Sequence, residues 1–272
     1  MTLLAGAAAR DITPAEDAGL YLAGFGANRT ALGVLDPLEV GALYLRSGDT
    51  EVTLVTVDCI GLNLPTVQRI RDGIEGMAND AIIVAATHTH SAPDTIGMWG
   101  PTFLGLVPKA SGVDPAWVDH LVDQATDAII AAREDARPAT LKAATVAIDR
   151  DWTRNDRKGG GRYDEAVTVA LDDDKGERIA TLLNFASHPE ALWTDNRLVS
   201  AEHPGYFRAR MRSLTSGVPL YFSGPLGGML TPNVSEDSDQ ATRQAYVKDL
   251  GHHLAEVVHA ALEGAPGPLV YR

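Results

Sequence analysis

The stretch Ala85-Ala86-Thr87-His88-Thr89-His90-Ser91-Ala92-Pro93-Asp94 decides how the chain is read. It follows the apolar run Ala81-Ile82-Ile83-Val84, which predicts a buried strand. Two histidines, one residue apart, therefore stand where a strand gives way to a loop. In open α/β sheets, ligands and chemistry collect at the carboxyl ends of strands. In extended backbone, positions i and i+2 point to the same side. His88 and His90 are then expected to face one space, as the start of a metal site or as an acid–base pair. Two hydrogen-bonded turn histidines would give the same pattern, and this stretch alone does not separate the readings.

Upstream, Asp11-Ile12-Thr13-Pro14 ends a first strand. Leu38–Arg46 and Glu51–Val57 are apolar runs joined by Ser47-Gly48-Asp49-Thr50, a hairpin signal. Leu64–Met77 reads as a helix with Pro65 in its first turn. Downstream, the loop 91–114 is rich in Gly and Pro and carries Trp99 and Phe103. A long loop directly after a candidate site is often functional; a packed surface loop is the plainer alternative. Pro115–Arg133 shows apolar residues at helical spacing behind an Asp114-Pro115 cap. Its His120 lies off the apolar stripe and is expected at the surface.

Thr140–Ile148 reads as a strand. It leads into a basic loop with Arg150, Arg154, Arg157 and Lys158. Glu165–Leu171 and Arg178–Phe185 form a strand pair, and the second ends in Asn184-Phe185-Ala186-Ser187-His188-Pro189-Glu190. This is again a histidine at the carboxyl end of an apolar strand. A helix, Pro204–Leu214, and a short strand, Pro219–Phe222, lead to the glycine-rich loop Ser223–Asn233. Asp239–Glu263 is a long amphipathic helix. Its His252, His253 and His259 are expected to be structural or exposed. The last residues, Pro266–Arg272, read as the beginning of another strand, so residues 1–272 are expected to form a single domain that is incomplete at its C-terminal end. Strands, hairpins and helices alternate loosely. The expected fold is α/β, with mixed β-sheets flanked by helices rather than one purely parallel sheet.

Composition narrows the function. The 272 residues have a formal net charge of −13 and a hydrophobic content of 45%. The acidity argues against a nucleic-acid or anionic-membrane surface, which needs clustered Lys and Arg. Cys59 is the sole cysteine, so disulfides and thiolate clusters are excluded. It sits in an apolar run and is expected to be buried. No apolar stretch reaches the length of a membrane span. The N-terminus lacks a basic n-region, and a cytoplasmic location is expected. A homo-oligomer stays open as a partner.

Any metal must be held by His, carboxylate, phenolate or hydroxyl. His88, His90, His188 and the Gly227-Gly228 to Thr231 loop are strand-end candidates. Catalytic zinc takes about three protein ligands and keeps a position open for water. Arg154 or Arg157 could steady developing oxyanion charge; a solvated basic loop would also explain either one. Asp58, Asp94 and Glu190 are local carboxylates that could serve as further ligands, and each is expected instead as a capping or supporting group.

Four segments, Gly6–Pro14, Ala86–Pro93, Asn184–Pro189 and Leu198–Tyr206, occur in an order that resembles the neutral/alkaline, non-lysosomal ceramidases. The resemblance runs over nearly the whole chain, and His-Thr-His-Ser together with His-Pro after a Phe-containing strand are its specific parts. It implies the ceramidase catalytic-domain fold and a zinc amidase that cleaves an N-acyl bond of a ceramide-like substrate. It implies His88 and His188 as zinc ligands and His90 as a substrate-facing catalytic residue. The arginine it implies falls on Arg154 or Arg157. Two departures stand out. The glycine loop reads Gly227-Gly228-Met229-Leu230-Thr231-Pro232-Asn233, with no acidic residue and with Thr231 where the family has a serine after a one-residue shift. The Glu and Tyr that the family brings to zinc have no matching motif after Asn233. A non-catalytic binding or assembly subunit, and a metal-dependent esterase, lactonase or phosphoesterase, are therefore the alternatives.

Overall fold

The computed structural model describes residues 2–16, 18–148, 151–228 and 230–264. The strand expected at Pro266–Arg272 and the basic-loop residue Arg150 lie outside the described residues. The strands, in chain order, are β1 (Leu3–Asp11), β2 (Gly33–Val34), β3 (Glu39–Ser47), β4 (Thr50–Val57), β5 (Ile82–Ala86), β6 (Thr102–Phe103) and β7 (Val107–Pro108). They continue as β8 (Arg137–Ala147), β9 (Thr153–Asn155), β10 (Glu165–Asp173), β11 (Arg178–Phe185), β12 (Leu198–Val199), β13 (Val218–Ser223) and β14 (Leu230–Pro232). The helices longer than one turn are α1 (Leu64–Asp72), α2 (Pro115–Glu134), α3 (His203–Leu214) and α4 (Gln240–Glu263).

Eight strands make one mixed sheet in the order β13-β11-β10-β8-β1-β3-β4-β5. Its interior is antiparallel. Each end carries one parallel pair, β4 with β5 and β11 with β13. Alternation along the strands sends side chains to two faces, and both faces are covered. Val40, Ala42 and Val55 pack with Leu121, Ala125 and Ile129 of α2. Ala166, Leu183 and Phe185 pack with Phe207 of α3 and Leu250 and Leu254 of α4. A third cluster joins Ala5 and Leu43 from one half of the sheet to Leu171, Ile179 and Leu220 from the other. The sheet therefore folds over on itself, giving helix, sheet, sheet and helix layers. This is the expected α/β class of mixed sheet flanked by helices, achieved with one bent sheet.

The bend brings the two ends of the strand order together. Ser223 Oγ, at the end of β13, donates to the Thr87 carbonyl just past β5 at 2.6 Å. Three two-stranded ribbons, β2/β12, β9/β14 and β6/β7, lie outside the main sheet.

The helices start as their sequences dictate. Asp114 and Asp239 each accept a backbone N–H through the side chain at the head of α2 and α4. The helix expected over Leu64–Met77 is shorter and ends at Asp72. Gly73 caps it, and Ile74 N–H turns back to the Arg71 carbonyl. Cys59 is buried and reduced. Burial pushes its thiol up to about 12, so it is inert packing. Among the described residues, no helix is long and apolar enough to cross a membrane.

Candidate functional site

His88 and His90 leave β5, and His188 leaves β11. The chain departs from extended geometry at once. Strand β5 stops at Ala86, and His88 has φ of 69°. The histidines are brought together by a strained left-handed residue, not by strand alternation as the sequence predicts. Such a backbone costs of order 1–3 kcal/mol and persists where surroundings over-determine it. Here they do. Thr87 N–H donates to Val57 O at 2.9 Å and His88 N–H to Cys59 O at 3.0 Å. Thr87 Oγ1 donates to Asp58 Oδ1 at 3.1 Å. Asp58 is wholly buried and is gripped by both terminal guanidinium nitrogens of Arg208.

The two exits are also joined directly, since His90 N–H donates to the Pro189 carbonyl at 2.9 Å. Glu202 is fully buried and ties them a second time. It accepts from Ser91 Oγ at 3.0 Å and from the Ala191 N–H at 2.7 Å. Burial raises its carboxyl to about 8.

The three imidazoles form one cluster. Ring centroids lie 5.0 Å apart for His88 and His90, 5.2 Å for His88 and His188, and 5.8 Å for His90 and His188. His88 Nδ1 meets the Ile60 carbonyl at 2.6 Å, and His188 Nδ1 meets the Leu230 carbonyl at 2.6 Å. A ring nitrogen against a carbonyl carries the proton, which leaves Nε2 with its lone pair. This is how metal-ligating histidines are oriented by their surroundings. The candidate ligand atoms of the three residues all lie within 4.8 Å of one another.

His90 completes the picture by lacking partners. Both its ring nitrogens are buried without a hydrogen bond. Glu190 Oε2 approaches Nδ1 to 3.2 Å without the alignment of a hydrogen bond. Burial, then the neighbouring imidazoles His88 and His188, hold its pKa well below the ordinary histidine value. Burial likewise lowers that of His88. Neutral, partnerless imidazole facing two oriented imidazoles is a donor set suited to a borderline divalent cation such as zinc. The residues present fit such an ion.

The remaining expected residues divide. Glu190 and Thr231 belong to the cluster's edge: the Thr231 hydroxyl donates to Glu190 Oε1 at 2.6 Å. Asp94 is a buried cap that accepts the N–H groups of Ile96, Gly97 and Trp99. Arg154 is on β9, whose backbone pairs with Thr231 of β14. Its guanidinium lies 5.7 Å from the Trp193 ring centroid and donates to the Pro232 and Val234 carbonyls. Trp193 stands 6.0 Å from Phe25, and Phe25 stands 5.0 Å from His90. Arg154 thus meets the cluster through an aromatic wall. Arg157 is exposed on the loop beyond, its N–H bound to Asn155 Oδ1. His120 is exposed, as expected, and His252, His253 and His259 are half-buried on α4.

Sequence reasoning missed Arg29, Phe25, Trp193 and the bridging role of Glu202. Arg29 is buried and bonds to the carbonyls of Ala23, His90 and Asn196, so it pins the aromatic loop to the histidine loop. Gly24, at φ of 100°, sits against the His90 ring, where a Cβ would come within 2.4 Å of it. The one available signal was the glycine-containing run Leu22-Ala23-Gly24-Phe25-Gly26.

No protein-family model matches the chain. It is 23% identical over 266 residues to neutral ceramidase B of Dictyostelium discoideum, covering 85% of this chain and 36% of that protein. It is 25% identical over 236 residues to a neutral ceramidase of Mycobacterium tuberculosis, covering 79% of this chain and 36% of that one. Its fold superposes on the crystal structure of neutral ceramidase from Pseudomonas aeruginosa with a TM-score of 0.82 at 17% identity, covering all of this chain and 46% of that one. A ceramidase solved as a complex with C2 gives a TM-score of 0.81 at 19% identity, over all of this chain and 45% of that one. The chain thus spans less than half the length of these relatives. In sequence the chain is similar to neutral ceramidases, and it shares their fold.

Proposed function

We propose that residues 1–272 form a catalytic domain that hydrolyses the amide bond of an N-acyl, ceramide-like substrate with the help of zinc. The observation that carries this reading is the orientation of the histidines: two rings locked through Nδ1 onto carbonyls, facing a third that is buried and without hydrogen-bond partners. The names of the similar proteins supply the substrate class. In this reading His88 and His188 would hold the ion, each with Nδ1 already committed to a carbonyl. Bound there, zinc would supply Lewis-acid polarisation of a carbonyl and a water of lowered pKa, about 7.

The chain's own residues carry the rest. His90 is neutral at neutral pH and takes up a proton as the amide is cleaved. Glu190 Oε2, 3.2 Å from His90 Nδ1, balances the imidazolium charge that results. Thr231 fixes that carboxylate by donating to its other oxygen. Thr231 is a positioning residue here, with its hydroxyl proton committed to Glu190. Phe25 and Trp193 offer an apolar wall to an acyl chain. Arg154, at the far side of Trp193, lines an open cavity of about 480 Å³ with Asn233 and Asp237. Its position beside Trp193 favours it over Arg157 for meeting the polar end of a substrate.

Elemental analysis of the purified chain, with turnover of an N-acyl amide panel, tests the reading. Zinc in the wild type is expected to disappear in a His88→Ala, His188→Ala double variant. His90→Ala is expected to retain zinc and lose roughly 100-fold or more in turnover, the scale of a lost general base. No zinc in the wild type, or full activity in His90→Ala, sinks the proposal.

A further inference from the structure

The loop that leaves the histidine cluster ends in an exposed apolar hairpin. Leu104 is 79% exposed, Leu106 82%, Met98 70%, Val107 58% and Phe103 55%. The ribbon β6/β7 turns through Leu104 at φ of 51° and Gly105 at φ of 72°. Two positive φ values suit a twisted hairpin, but the first favours Asn, Asp or Gly. Leucine there holds an apolar side chain at the tip against the local preference. Water gives no reason for that, since the four large apolar groups of the hairpin, with Met98 just before it, stand mostly exposed.

Charge identifies the surface that would cover them. In a chain of net charge −13, the segment 95–113 has no carboxylate and a single charged residue, Lys109. Lys109 is held 5.5 Å from the Phe103 ring centroid, at the base of the apolar tip. Trp99 is half-buried in the same segment. An exposed apolar tip with an amphipathic aromatic and a lone cation in the same segment is the set of groups suited to a bilayer's acyl chains, interface and phosphates. A protein groove would need to be concave around the tip, whereas a bilayer deforms to take it in.

We infer that the 98–109 hairpin inserts into a lipid surface and docks the protein there. The hairpin is tied to the candidate site. Asn28 clamps its first strand through Thr102, with bonds of 2.6 and 2.8 Å, and Asn28 sits on the loop that carries Phe25 to His90. A lipid-embedded amide would then reach the cluster along the Phe25 wall without crossing water, a step that rests on the amide-hydrolase reading above.

Co-sedimentation with phosphatidylcholine vesicles, with and without phosphatidylglycerol, tests it on the full chain. The wild type is expected to sediment with both. A Leu104→Asp, Leu106→Asp variant, altered only at exposed positions, is expected to lose roughly tenfold or more in partitioning. Lys109→Gln is expected to weaken binding chiefly to the phosphatidylglycerol vesicles at low salt. No sedimentation of the wild type, or undiminished sedimentation of the double variant, overturns the inference. So does a wild type that self-associates through the tip on size exclusion and is dispersed by the same two substitutions. Turnover of a short, water-soluble N-acyl amide without vesicles reads the hydrolase proposal separately, so either idea can fail alone.

Discussion

The two strand exits that bear the histidines are built differently. The β5 exit is strained and heavily braced: His88 is left-handed, and behind it Thr87, Asp58 and Arg208 form a buried, charged support. The β11 exit is held mainly by main chain. His188 spends both its backbone N–H and its Nδ1 on one carbonyl, that of Leu230 on a three-residue strand. A residue forced into a costly conformation needs surroundings that cannot yield, whereas a relaxed one needs only a hydrogen bond. The difference predicts that the first exit sets the stability of the site and the second sets its fine alignment.

The largest test breaks the brace. Arg208→Met leaves Asp58 buried and without its guanidinium, which is expected to cost about 3–5 kcal/mol in urea unfolding. A loss below about 1 kcal/mol would mean that His88 is held by its backbone bonds alone.

Glu202 couples the two exits, and its effect follows pH. Its folded pKa is raised from 4.5 to about 8 by burial. A raised carboxyl contributes stability that is fully present below the unfolded value, near 4.5. That stability is lost as pH rises towards about 8. Glu202→Gln removes this titration. Unfolding curves across that window should therefore show the variant gaining on the wild type as pH rises, by at most about 1.4 kcal/mol per pH unit. Asp36, raised to about 7 by burial, titrates in both proteins, and its charge helps to raise Glu202, so the difference reports Glu202 together with its coupling to Asp36. Parallel pH profiles would remove Glu202 as a buried, ionising link.

The smallest effect belongs to the second exit. Thr231→Val removes the donor to Glu190 and is expected to cost about 1 kcal/mol of stability. Its sharper signature is a fall in kcat for amide turnover with KM unchanged, because Glu190 loses its alignment on His90. An equal change in both constants would place Thr231 on the substrate instead.

The histidines were legible in the sequence because each follows a run of apolar, strand-forming residues directly. Local signals of that kind also gave α2 and the β10/β11 pair almost to the residue. The conformation of His88 was not legible, since a left-handed residue after a strand has no signature when it is neither Gly nor Asn. Nor was the surrounding support. Arg29 reaches His90 across 61 positions, and Glu202 reaches Ser91 across 111. Such pairings depend on how the sheet bends, and the bend is written in no single segment. That Arg154 stands beside Trp193 while Arg157 is exposed likewise depends on the pairing of β9 with β14.

The seam where Ser223 meets Thr87 carries a consequence for folding. It joins residues 136 apart and lies between the first and last strands of the sheet order. Contacts this distant in sequence close late, after the local hairpins have formed. His88 and His188 therefore converge only when all eight strands are in place. An ion that binds both recognises the finished sheet and no earlier intermediate. Its binding free energy then adds to the cooperative unfolding of the whole molecule rather than to one loop.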